Sequence, residues 1–266
     1  MCWLLLAIVT LVATRLSAQP ECPRGTLPAY AHNDYLNTHP LYDALALGYK
    51  GAEADVFLVD GELQLGHQRR AAEEDGRFET HYLAPLRSLV ARCGALTADG
   101  QPFLLTVEIK EASRQTFDAL VALLSRYSDL LKGQNGGTPA VQVVLVGWYP
   151  SQFEDSTPVP LTRQAQLTRD DRPPTDAADR SVGLISIDYN KTMGRWWVTP
   201  ARRRRWLSEI RATKAEYPAL RIRAYHAPVS ARTYRELLAA GVDLIGTQDL
   251  ADSARLLTAE AASQRK

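Results

Sequence analysis

The sequence predicts an α/β fold, a single (β/α)8 barrel of the TIM type, and three observations carry that prediction. Apolar runs of strand length alternate with longer segments of helical period along most of the chain, as parallel βα units require. The runs number eight, the count that closes such a barrel. A chain of 266 residues, 45% of them hydrophobic, is the size of one barrel with a full core.

The strands expected in order are Leu27–Ala31, Ala52–Val59, Phe103–Ile109, Val141–Gly147, Thr162–Gln166, Val182–Ile187, Arg221–Ala224 and Asp243–Gly246. The fifth has the weakest apolar pattern. Between them Leu41–Gly48, Leu83–Cys93, Ser113–Leu131, Pro200–Glu216 and Ala231–Ala240 repeat apolar residues at spacings of three and four, and read as outer helices. Gly48 and Gly241 suit helix C-termini, and Thr199 and Ser230 suit N-caps. Asp170–Arg180, rich in Asp, Pro and Arg, reads as a polar loop within the domain.

Residues 1–18 hold an apolar run from Trp3 to Ala13 followed by the small residues Ser17 and Ala18, which reads as a secretory signal peptide ahead of a barrel at 19–266. The run is shorter than the roughly 20 residues that span a bilayer. The mature protein is therefore expected to be secreted or periplasmic. Export leaves Cys22 and Cys93, either a disulfide in an oxidising compartment or two separate thiols. With 31 basic against 30 acidic residues, no overall field favours a nucleic-acid partner, so recognition must be local. The run Arg202–Arg205 fits a solvated helix face or a contact with anionic lipid headgroups, and Trp196–Trp197 fits the core or a lipid surface.

The chemistry-bearing residues cluster at predicted strand ends, which converge on one face of a parallel barrel. The first strand ends in Ala31-His32-Asn33-Asp34-Tyr35. The second, Gly51-Ala52-Glu53-Ala54-Asp55-Val56, has carboxylates two residues apart and hence on one side. Thr106-Val107-Glu108-Ile109-Lys110 repeats the spacing with one acid and one base. Like charges on a buried strand face require a compensating cation or a basic partner, and a metal is the economical choice. Three carboxylates without thiolates predict one hard divalent ion, Mg²⁺ or Ca²⁺, on Glu53, Asp55 and Glu108. His67 closes a run after the Asp60-Gly61 turn, a hairpin that returns it to the mouth, where it and His32 could move protons on either side of a phosphodiester. Trp148-Tyr149, Asp188-Tyr189-Asn190-Lys191, Tyr225-His226 and Gln248-Asp249 follow later strands and could either grip a headgroup or pack as ordinary loops.

This series, together with Gly66-His67, Val107-Glu108-Ile109-Lys110 and the terminal Gly241-Val242-Asp243-Leu244-Ile245-Gly246-Thr247, resembles the glycerophosphodiester phosphodiesterase superfamily, which includes sphingomyelinase D-like enzymes and is related in architecture to phosphatidylinositol-specific phospholipase C. The opening His32-Asn33-Asp34-Tyr35 is similar to a bacterial and fungal branch. The resemblance implies a barrel enzyme with the metal on Glu53, Asp55 and Glu108, His32 and His67 as acid and base, and Lys110 against the phosphate. Family members typically carry Arg where this chain has Asn33, which removes a bidentate phosphate ligand.

The expected function is a metal-dependent phosphodiesterase acting on a phospholipid or lipid-derived headgroup, through a cyclic phosphate where the substrate allows it, with peripheral membrane contact. Asn33, Lys110, Trp148, Tyr189 and Tyr225 are the expected substrate contacts. Two other classes compete: an inactive barrel that binds phosphate or a headgroup, which has no need of this charge cluster, and a glycoside hydrolase, which leaves His32, His67 and Lys110 unexplained.

Overall fold

All eight expected runs become strands of a closed parallel barrel in the computed structural model, which describes residues 22–72, 76–132, 137–153, 157–167, 179, 181–194 and 198–263. The strands are β1 (Ala29–Ala31), β2 (Gly51–Val59), β4 (Phe103–Ile109), β5 (Val141–Gly147), β6 (Leu161–Gln166), β7 (Val182–Asp188), β8 (Arg221–Tyr225) and β9 (Leu244–Thr247). Around the ring the order is β1-β9-β8-β7-β6-β5-β4-β2, and pairing of β1 with β2 closes it. A ninth strand, β3 (Glu62–Leu65), lies antiparallel on β2 as the arm of the expected hairpin. The signal segment at 1–18, Trp196–Trp197 and most of Asp170–Arg180 lie outside the described residues.

The weak fifth run has a physical cause. In β6, Gln164 faces a polar barrel interior, accepting from Ser186 and Arg223, so the strand lacks apolar alternation. Its register with β7 also shifts between Arg163 and Gln164. Below that polar layer Tyr30, Leu104, Val144, Leu184 and Leu244 form a separate apolar cluster at the barrel floor. The opposite faces of the same strands, with Ala52, Ala54, Val107, Val143, Leu145 and Ile185, pack under the helices. Alternation along each strand thus assigns one set of side chains to the outer core and the other to the barrel interior.

The helices follow their capping chemistry. Ser113 accepts from Thr116 N at 3.1 Å and opens α3 (Arg114–Ser125), which a turn separates from α4 (Ser128–Leu131). Thr199 opens α6 (Pro200–Glu216) and Ser230 opens α7 (Ala231–Ala239), each accepting from the third residue on. Along α6 Arg202, Arg204 and Arg205 are exposed, while Arg203 turns back to Glu236. The first helical segment shortens to α1 (Tyr42–Ala46), and α2 (Ala84–Cys93) gains a preceding turn of π-helix over Glu79–Leu83. Two helices escaped the sequence reading: α5 (Tyr189–Thr192) and α8 (Leu250–Ser263), the latter burying Leu250, Ala254 and Leu257. Among the described residues no helix is long and apolar enough to cross a membrane.

Cys22 and Cys93 are bonded, with Cα atoms 5.5 Å apart and a separation of 71 in sequence, which excludes the reading as separate thiols. The bridge ties the segment before β1 to the end of α2. Closing a loop of that length restricts the unfolded chain, so Cys93→Ser is expected to cost about 4 kcal/mol. Urea unfolding of the oxidised protein against the variant measures this, and coincident midpoints would contradict it.

Candidate active site

Glu53 and Asp55 both point into the barrel mouth from β2, and the register sets Asp55 beside Glu108 on β4. Each of the three carboxylates offers an oxygen within 4.8 Å of the others. That spread matches oxygens around one ion at about 2.0–2.6 Å. Glu53 and Asp55 are buried, and burial first, then Glu108 and Glu53, push the Asp55 carboxyl up to about 6.

The partners of Asp55 divide between its two oxygens. Oδ2 accepts from Tyr35 OH at 2.9 Å and from His67 Nδ1 at 3.1 Å, with Lys110 Nζ at 3.3 Å. Oδ1 is buried and has no hydrogen-bond partner among the described residues. A buried carboxylate oxygen without a donor is costly unless something else fills its lone pairs. The site therefore fits a hard cation on this observation as well as on its donor set.

Glu53 is held from three sides. His32 Nε2 lies 3.2 Å from Oε2, Asn33 N donates to the same oxygen at 3.4 Å, and Arg223 Nη1 reaches Oε1 at 3.4 Å. Asn33 has φ 50°, a left-handed conformation that Asn tolerates better than most residues, and this conformation accompanies the contact of its backbone N–H with Glu53. Burial lowers the His32 imidazole pKa despite the opposing pull of Glu53. Lys110 Nζ also donates to Glu108 Oε1 at 3.0 Å; burial disfavours its charge, but Asp55 and Glu108 outweigh that and raise it.

His67 reaches the mouth through its hairpin. Asp60 and Gly61 have φ of 49° and 83°, the two left-handed residues of a tight primed turn. Gly66 N then donates to Asp55 O at 3.1 Å, so ring and backbone both close on Asp55. Arg69 fastens the following turn to Leu58 O and the Glu111 carboxylate. The loop after β1 is fixed by Asp34, which accepts from Leu41 N, Tyr82 OH and Asn37, and burial raises its carboxyl to about 6.

On the other side of the mouth, Asp188 Oδ1 lies 3.3 Å from His226 Nδ1. The His226 ring stands edge-on to His32 at 5.4 Å and to Tyr225 at 4.7 Å. Tyr225 also meets His32 at 5.9 Å and accepts from Gln166 at 3.4 Å.

Six expected site residues thus converge: His32, Glu53, Asp55, His67, Glu108 and Lys110, with Tyr225 at their edge. Tyr189 is a correction: it is 4% exposed and its hydroxyl accepts from Arg203 at 2.7 Å, so it braces α5 against α6 instead of facing a ligand. Trp148 is partly buried against the hydrophobic core, and Asn33 meets the site through its backbone. The sequence reading missed Tyr35 and Arg223. Arg223 carried a signal, since Arg221-Ile222-Arg223 repeats the two-apart charge spacing of β2 on another strand. Tyr35 carried none.

Residues 24–98 match the family described as the AIM6-like phosphodiesterase domain. The chain is 25% identical to the "Altered inheritance of mitochondria protein 6 homolog" of Arthroderma benhamiae, over 65% of this chain and 73% of that protein. It is 29% identical to "Altered inheritance of mitochondria protein 6" of Eremothecium gossypii, over 49% of this chain and 39% of that one. In fold it is similar to the crystal structure of glycerophosphodiester phosphodiesterase from Agrobacterium tumefaciens, at a TM-score of 0.51 and 16% identity, covering 88% of this chain and 100% of that one. The stretch matched by the family model spans β1, β2 and the hairpin that together carry His32, Glu53, Asp55 and His67, and the barrel around it is similar in fold to that glycerophosphodiester phosphodiesterase.

Proposed function

We propose that this phosphodiesterase-type domain is a metal-dependent enzyme that acts outside the cytoplasm on a phosphodiester of a phospholipid or lipid-derived headgroup. The observation that carries the reading is the partnerless, buried Oδ1 of Asp55 inside a triad of carboxylates flanked by two imidazoles and a lysine. Glu53, Asp55 and Glu108 would hold one divalent ion, Mg²⁺ or Ca²⁺, which supplies Lewis-acid stabilisation of charge on phosphate oxygens when bound.

The protein's own groups do the rest. Because a carboxylate only accepts, His67 carries its proton on Nδ1 against Asp55, which leaves Nε2 as the atom that exchanges a proton with substrate. His32, edged by His226 and Tyr225, serves the opposite transfer. Lys110, kept cationic by two carboxylates, lies ready for the phosphate charge. The disulfide and the apolar leader-like run support an oxidising, extracytoplasmic location. Contact with a lipid surface follows from the substrate class proposed.

The test is incubation of the protein with glycerophosphodiesters, lysophospholipids, sphingomyelin and phosphatidylinositol, with Mg²⁺, Ca²⁺ or chelator, and identification of products by mass. Cation-dependent cleavage of a phosphodiester is expected. Cleavage undiminished by exhaustive chelation would remove the metal from the reading, and no cleavage under any condition would remove the enzyme.

A further inference from the structure

The pole of the barrel opposite the mouth holds a charged cavity that the reading above leaves unused. It has a volume of about 410 Å³, lies where the chain enters β2, β4, β8 and β9, and is lined by Lys50, Lys214 and Arg221 together with Asp99 and Asp243. Arg221 and Arg223 stand two positions apart on β8 and share its inward side. Arg223 joins the polar layer above the apolar floor. Arg221, the first residue of the strand, lies below that floor and donates to Pro102 O at 2.9 Å and to Gln142 Oε1. The floor of Tyr30, Leu104, Val144, Leu184 and Leu244 therefore separates this cavity from the carboxylates of the mouth.

The charges of the cavity do not cancel. Lys50 Nζ lies 2.7 Å from Asp99 Oδ2, and Lys214 Nζ lies 2.9 Å from Asp243 Oδ2, so both lysines have counter-ions. Arg221 has none: its acceptors are a backbone carbonyl and a side-chain amide, and among the described residues no carboxylate pairs with it. Gln142 Nε2 donates to Gly183 O at 3.3 Å, which holds the amide with its oxygen toward the guanidinium. A guanidinium has more N–H donors than these bonds use, set in a plane that suits an oxyanion. Lys214 also donates to Pro218 O and Leu220 O, whereas Lys50 donates to Asp99 alone and keeps protons for a ligand. Burial pulls the Arg221 pKa down to about 10, and Asp243 and Asp99, which do not touch it, oppose that only in part. A half-buried cation that bears desolvation without an ion pair is stabilised by an anion.

We propose that this cavity is a second, non-catalytic site for a phosphate-class oxyanion, free or as a monoester, with the Arg221 guanidinium as its main ligand and the Lys50 ammonium as its second. Phosphate suits the pair better than a carboxylate does. Its oxygens diverge, so they can accept at once from a planar fork on β8 and from a point charge at the start of β2. At about 410 Å³ the cavity falls within the roughly 300–1,000 Å³ of small-molecule sites, which leaves room for an esterified group beside the phosphate. An anion held there ties the entry of β2 to the entry of β8 and stabilises the barrel by binding the folded chain. The assignment does not depend on what the mouth cleaves.

The test is calorimetric titration of the unmodified protein with inorganic phosphate and with glycerol 3-phosphate, in chelator and at an ionic strength fixed with chloride. Without a divalent cation the three carboxylates of the mouth repel an anion, so the heat reads the opposite pole. Saturable one-to-one binding of phosphate is expected, and tighter binding of the ester would assign the rest of the cavity to its alcohol part. Arg221→Met should weaken phosphate binding about 10- to 100-fold, the loss of one or two tenfold steps for hydrogen bonds from a charged donor. Lys50→Met should weaken it about 2- to 5-fold. Asp99→Asn separates the site from a loss of folding. The amide keeps an acceptor for Gln101 N and removes the counter-charge of Lys50, so binding should tighten about 2- to 5-fold, a gain that a misfolded variant does not give. No binding in chelator, binding that requires Mg²⁺ or Ca²⁺, or an affinity unchanged in both Arg221→Met and Asp99→Asn would overturn the site.

Discussion

Asp55→Asn is expected to make the chelator-stripped protein more stable while abolishing its response to divalent cations and its activity. Three carboxylates with oxygens within 4.8 Å oppose one another when no cation is present, and Asp55 is the most buried of them. Burial, then Glu108 and Glu53, raise it from 3.8 to about 6 even though Lys110 and Tyr35 pull the other way. The environment therefore prefers a neutral side chain. The sign follows by linkage: a carboxyl whose folded pKa is raised lends stability below its unfolded value and loses it as pH rises through about 6. A shift of that size corresponds to roughly 3 kcal/mol, an upper figure for what the ionised group costs at neutral pH. The amide escapes that cost, keeps an acceptor for Tyr35 or His67, and gives up the ion pair with Lys110, so a gain of about 1–3 kcal/mol remains.

Added Mg²⁺ or Ca²⁺ should stabilise the native protein by about 2.7 kcal/mol at a hundredfold excess over Kd and leave the variant unmoved. Phosphodiester cleavage should fall by roughly 10³-fold or more, several kcal/mol of charge stabilisation having gone. Urea unfolding in chelator and in each cation reads both halves. A variant less stable than native protein in chelator, together with an undiminished cation response, would sink the argument.

The sequence made the barrel legible because strands buried on both sides leave unbroken apolar runs, and the site legible because Glu53-Ala54-Asp55 and Glu108-Ile109-Lys110 interrupt those runs with charge at strand spacing. The same rule applied to Arg221-Ile222-Arg223 points inward to Arg223, which lies over Tyr30 and reaches Glu53. Two like charges there, without a motif, look like an exposed edge. α8 was missed although Leu250, Ala254 and Leu257 recur at helical spacing after the last strand. Other contacts exist only once the chain has folded. Tyr35 meets Asp55 because Asp34 fixes the loop between them, and Tyr189 is buried because Arg203, from the next helix, reaches its hydroxyl. Neither depends on a spacing that a linear pattern displays.

His32→Ala and His67→Ala are each expected to lower kcat by roughly 10²- to 10⁴-fold while leaving cation-induced stabilisation nearly intact, the signature of lost proton transfer with the metal site retained. The geometry separates the two effects. Asp55 Oδ2 faces His67, whereas Oδ1 has no hydrogen-bond partner among the described residues, so removing the ring leaves that oxygen in place. Glu53 likewise keeps the Asn33 and Arg223 contacts when His32 is gone. Where the substrate bears a hydroxyl beside the scissile bond, that hydroxyl should attack first and give a cyclic phosphate. An internal nucleophile held next to phosphorus has an effective molarity of about 10⁵ M or more in well-oriented cases, far above that of water. In the attack the hydroxyl oxygen bonds to phosphorus, its proton passes to one imidazole, and the departing alcohol oxygen takes a proton from the other. A single turnover in ¹⁸O-labelled water decides the route. Cyclic product free of label should come first, and label should enter only as the ring opens. Early product that is wholly linear and labelled, with no cyclic species at any time, would mean that water attacks directly and that the two imidazoles serve water instead of the substrate's hydroxyl.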